Sequence, residues 1–311
     1  MNTLQPWVNA CRPKTLVAAL VPVALGGAVY SLYAPVVPGV GKVFWGATLI
    51  RCAGFALAVQ IACNFANDLG DSLRGADTPE RVGPRRAVAN GEISRTAMSW
   101  GILVACVLAL LCGWQVGLAS PALAVAGILA ILLALAYTLG PYPLAYHGLG
   151  DLFVIACFGL QATALTAFAI QRMLPEMARA PVPWMPAVIA GLGLGLLADN
   201  ILLANNARDY ETDQTAGKCT TVVRWGRGFA RTFHAVNVFG GLGCLILTFG
   251  WWPALLLPLA WRFHRQFRQA QRPAEFIPCL AQAAILMLLA GLLCVTAACL
   301  EGVVPNKLFL R

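Results

Sequence analysis

Charge is what this chain has least of. Asp, Glu, Lys and Arg make up 11% of its 311 residues, against 59% hydrophobic. A soluble domain carries roughly a quarter of its residues as charges, so an ordinary soluble fold is excluded. Histidine is scarce, with three in all, and the eleven cysteines stand singly, mostly inside apolar runs, with no Cys-x-x-Cys pair. Zinc sites and dithiol redox sites need closely spaced ligands, and these cysteines read instead as small buried hydrophobes. No polar stretch is long enough for a separate soluble domain. No cleavable leader is expected. Arg12 and Lys14 precede an apolar run, but the run is long enough to span a bilayer and lacks a clear small-residue cleavage site. It is expected to be the first transmembrane helix.

What is present is a series of apolar runs, at roughly 15–34, 45–66, 97–118, 120–139, 150–170, 183–204, 229–250 and 279–300. Each approaches the ~20 residues that cross a hydrocarbon core of ~30 Å. A further stretch at 250–263, eighth in chain order, is shorter and interrupted by Pro253 and Pro258. The pattern predicts an all-α, multi-pass transmembrane helical bundle of about nine helices, one membrane-embedded domain over 1–311.

A net charge of +9 raises nucleic acid as a partner, and the distribution of that charge argues against it. With the N-terminus inside and nine crossings, one side holds Arg12, Lys14, the Arg74–Arg95 group, the Arg208–Arg231 group, Arg262, Arg265, Arg268 and Arg272. The other keeps Lys42, Arg51, Arg172, Arg179, Lys307 and Arg311. This is the positive-inside pattern of a cell-membrane protein. The lipid bilayer is the expected partner, and no nucleic acid.

The few acids are unevenly placed. Nine of the thirteen fall within 68–92 and 199–213. The first segment reads Asn64-Phe-Ala-Asn67-Asp68-Leu-Gly-Asp71-Ser-Leu-Arg74-Gly-Ala-Asp77, with Glu80 and Glu92 beyond. The second reads Asn205-Asn-Ala-Arg208-Asp209-Tyr-Glu211-Thr-Asp213, preceded by Asp199 and followed by Gly217-Lys218. Carboxylates near a bilayer are costly unless something positive holds them. Two matched clusters, each where an apolar run ends, suggest a shared cationic ligand, a metal with phosphate.

Spacing sharpens this. Residues three or four apart share a helix face, so Asn205, Asp209 and Asp213 would line one stripe and Asn64, Asp68 and Asp71 another. Mg²⁺ takes hard oxygen ligands, usually one or two carboxylates, and leaves other positions to water and phosphate. Two such stripes facing each other suit Mg²⁺ ions around a diphosphate. One cluster alone would read as helix capping and solvated loop ends. Two at equivalent ends, each beside Arg or Lys, favour the metal-diphosphate reading. The order of apolar span, Asn/Asp cluster, basic Gly-containing loop and apolar span occurs at 45–97 and again at 183–229, which suggests two related halves facing one cavity.

Further motifs follow in order: Arg12-Pro-Lys-Thr-Leu16, Asn67-Asp-Leu-Gly-Asp71 with Gly75-Ala-Asp77, Arg81-Val-Gly-Pro84, Tyr137-Thr-Leu-Gly-Pro-Tyr-Pro143, Gly148-Leu-Gly-Asp151, and Asn205-Asn-Ala-Arg-Asp209 with Asp213 and Gly217-Lys218. In this order, over nearly the whole chain, they resemble the UbiA-type intramembrane aromatic prenyltransferases, and within them the branch acting on 1,4-dihydroxy-2-naphthoate in menaquinone synthesis. The resemblance implies a helical bundle with a central cavity open sideways to lipid. It implies polyprenyl diphosphate held through Mg²⁺ by Asp68, Asp71, Asp209 and Asp213, the catalytic set. Asn64, Asn67 and Asn205 would support metal or phosphate, with Arg74, Arg208, Lys218 and Tyr137 as candidates for diphosphate contact. Where much of the superfamily has a third acid, this chain has Gly75 and then Asp77, the form of the naphthoate branch, and the role of Asp77 stays open.

The chemistry implied is ionisation of an allylic diphosphate as metal and basic groups neutralise the leaving group. An electron-rich ring carbon then attacks in a cavity that excludes water. With the naphthoate acceptor, the attacked carbon bears the carboxylate and CO₂ is lost. Asp71 and Asp77 are the candidate bases for the phenolic proton. Acceptors such as 4-hydroxybenzoate or homogentisate would use the same parts. A cation-coupled transporter fits less well, because such sites lie near the bilayer midplane and these clusters lie at span ends.

The remaining polar residues divide between function and packing. Asp199, an acid inside an apolar run, is either functional or bonded to Asn200 or a neighbouring helix. Tyr142, Tyr146 and His147 fall in a turn where the aromatic acceptor and the membrane interface compete for them. His234, His264, Trp251 and Trp252 read as interfacial, and the Arg262–Arg272 run as a headgroup anchor.

Overall fold

A computed structural model of the chain describes residues 4–34, 42–76, 82–83, 86–176 and 179–301, so Asp77 lies outside the described residues. Thirteen α-helical segments follow in order: α1 (Leu4–Cys11), α2 (Val17–Tyr33), α3 (Lys42–Leu73), α4 (Arg95–Ala119), α5 (Pro121–Ala136), α6 (Gly150–Val154), α7 (Ala162–Met173), α8 (Trp184–Arg208), α9 (Tyr210–Thr215), α10 (Thr221–Ala235), α11 (Gly241–Phe249), α12 (Leu257–Gln269) and α13 (Phe276–Glu301). π-Helical turns at Ile155–Gln161 and Val236–Gly240 join α6 to α7 and α10 to α11. They make single long spans of each pair.

Six helices among the described residues are long and apolar enough to cross a membrane: Trp45–Leu73, Arg95–Ala119, Gly150–Met173, Trp184–Arg208, Thr221–Phe249 and Pro273–Leu300. Val17–Tyr33 and Pro121–Ala136 are apolar but shorter. The irregular stretch at 250–263 becomes a 3-10 turn, Trp252–Leu256, followed by α12. Pro253 and Pro258 each stand in the first turn of their element, where a missing N–H costs nothing. α12 buries Ala260, His264 and Phe267 and exposes Arg262, Arg265 and Arg268, so it is amphipathic rather than apolar throughout.

The packed core lies among α2, α7, α8, α11 and α13, where Leu25, Leu194, Leu242, Phe249 and Met287 are fully buried. Apolar surface gives helices little reason to associate in lipid, so close backbone approach through small residues carries much of the packing. The π turn after α6 shows this. A Cβ placed at Gly195 on α8 would stand 2.7 Å from the Ile155 carbonyl oxygen. His234 and His264, expected at the interface, are instead buried against each other, with Nδ1 atoms 3.2 Å apart.

α4 and α5 are the opposite case. Leu103, Leu108, Leu111, Leu129 and Leu132 stand exposed along them, as lipid-facing residues do. Behind these helices lies a cavity of about 410 Å³, lined by α2 through α7. Phe55, Trp114, Leu123, Phe158 and Leu165 make its walls, with Arg51 towards the start of α3 and Cys63 adjacent to Asn64. All of its lining residues precede position 170, so the cavity belongs to the first half of the chain. α8, its counterpart in the second half, is the most buried of the six long spans, at 72%.

Candidate active site

The first cluster rides on the last three turns of α3, and each member is fixed by a partner distant in sequence. Asp68 is 2% exposed and accepts from the backbone N–H groups of Ala87 (3.1 Å) and Val88 (3.0 Å). Asp71 is 3% exposed; one oxygen accepts from Arg86 at 2.8 Å and the other from the Tyr146 hydroxyl at 2.9 Å. Asn64 donates to the Cys11 carbonyl (2.9 Å) and to Thr15 Oγ1 (3.3 Å), tying α3 to the turn before α2. Arg12, in that turn, is the one non-glycine residue at positive φ among the described residues, at 50°, and such strain recurs at functional sites.

Asn67 and Arg74 hold the loop that follows α5. Thr138 donates to Asn67 at 2.7 Å, and Arg74 donates to the carbonyls of Thr138 and Gly140, both at 2.7 Å. Gly140 sits at φ 85°, open to glycine and costly for other residues. Arg74 thus spends hydrogen bonds on this loop, and its guanidinium carbon lies 5.2 Å from the Tyr146 ring centre.

The second cluster closes on its own neighbours. α8 ends at Arg208, and Asp209 is its C-cap (φ −90°, ψ 12°), so the expected single helical stripe is broken there. The register survives the break, because the Asp209 N–H bonds the Asn205 carbonyl (2.9 Å) and the Asp213 N–H bonds the Asp209 carbonyl (2.7 Å). Arg208 makes a two-pronged bond to Asp209, 2.7 Å on each oxygen. Lys218 Nζ stands 3.8 Å from Asp213.

Tyr146 joins the clusters. Its hydroxyl donates to Asp71, its carbonyl accepts from the Cys219 N–H at 3.0 Å, and Lys218 Nζ lies 5.4 Å from its ring centre. Arg74 and Lys218, one from each cluster, therefore meet the same aromatic ring. Burial, then the Asp71 charge, pushes the Tyr146 phenol well above its ordinary value, so it stays a donor. Tyr142, one of the turn residues considered from the sequence, is 59% exposed and stacks on His147 with ring centres 3.6 Å apart. Tyr146, also considered from the sequence, is 8% exposed. Arg86 was missed entirely: nothing in its spacing links it to Asp71, fifteen residues earlier.

The donor set suits Mg²⁺ in kind. Each cluster offers two carboxylates, and no group of three or more His, Cys, Asp or Glu side chains among the described residues forms a ready metal cage. One or two carboxylates completed by phosphate is the usual Mg²⁺ arrangement. Asp71, Asp209 and Asp213 are paired with Arg86, Arg208 and Lys218.

Fold and site together define a multi-pass helical membrane protein with paired acid-and-base clusters bridged at one end. The chain belongs to the UbiA prenyltransferase family, whose model matches residues 19–277. It is 33% identical over 305 residues to the 1,4-dihydroxy-2-naphthoate octaprenyltransferase of Haemophilus influenzae, covering 93% of this chain and 94% of that one. It is 32% identical to the enzyme of the same name from Escherichia coli, covering 94% of each. Among solved structures, a UbiA homologue from Aeropyrum pernix K1 matches with a TM-score of 0.66 at 15% identity, over 91% of this chain and 97% of that one. One from Archaeoglobus fulgidus, bound to GPP and Mg²⁺, matches at 0.57 and 17%, over 94% and 99%. At such identities these structures speak for the fold alone.

Proposed function

We propose that this protein transfers a polyprenyl group from polyprenyl diphosphate to 1,4-dihydroxy-2-naphthoate, releasing diphosphate and CO₂ to give demethylmenaquinol. The observation that carries the reading is the bridge at Tyr146, which sets two acid-and-base clusters side by side next to a long apolar cavity. A diphosphate with a greasy tail needs both. The relatives named above support the naphthoate acceptor.

Asp68, Asp71, Asp209 and Asp213 are the residues to hold Mg²⁺, which when bound neutralises charge on the leaving diphosphate. Arg74, Arg208 and Lys218 are placed to share that task, with Asn64, Asn67 and Asn205 fixing the ends of α3 and α8. The allylic chain lies along the cavity beside α3. Residues 51–63 of that helix line it over ~18 Å at ~1.5 Å per residue. The apolar walls exclude water from a carbocation. The positive-inside distribution supports a cytoplasmic position for the clusters, in the cell's inner membrane.

Purified protein in detergent, given labelled polyprenyl diphosphate, should prenylate dihydroxynaphthoate. A panel with 4-hydroxybenzoate and homogentisate in its place tests the acceptor, and preference for either of those would overturn the naphthoate assignment.

A further inference from the structure

The buried acids Asp151 and Asp199 each accept from a neutral donor, Thr221 Oγ1 and Asn237 Nδ2, both at 2.8 Å. The Asp199 bond thus comes from the turn after α10, and not from Asn200. Tyr137 packs its ring on Phe153 in the cavity wall, centres 5.3 Å apart. Arg227 on α10 is different, because it grips the second acidic cluster from outside. Its Nη1 and Nη2 donate to the two carboxylate oxygens of Glu211 at 2.7 and 2.9 Å. Its Nε and Nη2 donate to the Ala207 carbonyl at 3.1 and 3.0 Å. The guanidinium carbon also lies 5.2 Å from the Tyr210 ring centre and 5.4 Å from that of Phe276, at the start of α13.

These contacts fall on both sides of Asp209. Ala207 stands in the last turn of α8, where carbonyls lack a following turn to bond, and Tyr210 and Glu211 open α9. Arg227 therefore ties together the two helices that meet at Asp209, and it does so from a third. Gly226, at φ 80°, breaks the helical path of α10 immediately before it, in a conformation costly for any residue with a Cβ. Glu211 belongs to the acidic segment yet falls off the stripe of Asn205, Asp209 and Asp213, and its carboxylate goes to Arg227. The paired side chains are 19% exposed for Arg227 and 55% for Glu211. An ion pair open to water at one end adds little to global stability, so four hydrogen bonds gathered here speak for placement.

We propose that Arg227 is the positioning residue of the second cluster, fixing the backbone on either side of Asp209 so that the Asp209 and Asp213 carboxylates meet Mg²⁺ and diphosphate opposite the first cluster. The proposal rests on the metal-diphosphate reading above. The Arg227 donors go to Glu211 and Ala207, so the aspartates keep their own partners and their carboxylates can still turn. What the clamp sets is the point they turn from. A misplacement of about 1 Å, even one caused far from the chemistry, can cost ~100-fold in rate. Groups that orient metal ligands without touching the metal typically carry about 10- to 100-fold in metal affinity or activity.

Inorganic diphosphate with Mg²⁺ gives a test that needs neither prenyl donor nor acceptor. The quantity read is the diphosphate concentration giving half the rise in melting temperature of the whole protein in detergent, at fixed Mg²⁺. Arg227→Met keeps an apolar stem beside Tyr210 and Phe276 and removes every donor, so it should raise that concentration by about 10- to 100-fold. Arg227→Lys, a point charge in place of the fork, should fall between it and the wild type. Glu211→Gln leaves the Ala207 bonds in place and should raise it a few-fold, adding little when combined with Arg227→Met. Arg231→Met removes the same charge from the same helix, where Nη2 bonds the Ala270 carbonyl at 3.2 Å, and should leave it unchanged. Prenyl transfer should follow the same order. Should Arg227→Met not fold, Arg227→Lys and Glu211→Gln carry the test. Wild-type values in the Arg227 and Glu211 variants, or equal weakening in Arg231→Met, would overturn the proposal. So would tighter binding in Glu211→Gln, the mark of an Arg227 that contacts phosphate itself. A wild type whose melting temperature does not respond to Mg²⁺ and diphosphate faults the metal-diphosphate reading itself, and this role falls with it.

Discussion

The two acidic clusters look alike in sequence and are held in different ways. Asp68 and Asp71 on α3 are pinned by residues 15 to 75 positions away: the backbone of Ala87 and Val88, the guanidinium of Arg86 and the hydroxyl of Tyr146. Asp209 and Asp213 are held by Arg208 next door and by Lys218, five residues on. The first cluster is therefore part of the fold, and its acids anchor the loop after them. The second is held from its own stretch of chain, at the end of a core helix. A site that must clamp and then release an anion gains from one rigid jaw and one compliant one.

Removing acids separates the jaws most sharply. Asp71→Ala should abolish transfer and also destabilise the protein, since it removes the buried acceptor of both the Arg86 and the Tyr146 hydrogen bonds, each worth about 1.5–3 kcal/mol to a charged group. Asp213→Ala should cost a comparable share of activity with a smaller fall in melting temperature, because its Lys218 partner stands 3.8 Å away, against 2.8 Å for Arg86 on Asp71. Equal melting temperatures for the two variants would break the distinction. Arg86→Ala comes next, expected to lower the melting temperature and to raise hydrogen exchange in residues 86–93. Lys218→Ala should leave stability intact and raise KM for the diphosphate about tenfold, near the worth of one charge-assisted bond. The smallest effect belongs to Tyr146→Phe. It loses one hydrogen bond to a carboxylate, about 1.5–3 kcal/mol of stability, yet keeps the ring that Arg74 and Lys218 share, so transfer should fall only a few-fold.

Hydropathy made the spans legible, because in lipid an apolar run of sufficient length can hardly be anything but a helix. It went astray at α12, where three arginines alternate with buried Ala260, His264 and Phe267 and the helix turns out amphipathic. The acids of both clusters were legible from spacing, though the break at Asp209 was not, since backbone bonds keep the register across it. Arg86 could not be chosen from the chain alone, nor Tyr146 told apart from Tyr142. Their partners are set by how two loops fold back over the end of α3, and Tyr142 and Tyr146 differ only in which way the turn faces. The cavity, expected between two halves, lies within the first, because α8 fills the corresponding space with the core.

The most direct test of the central claim is transfer of a labelled polyprenyl group to 1,4-dihydroxy-2-naphthoate by the purified protein, with Mg²⁺ and with EDTA, alongside Asp68→Ala and Asp209→Ala. Product should form only in the wild type with Mg²⁺. Undiminished turnover in EDTA, or in either variant, would contradict a metal-diphosphate site shared by the two clusters.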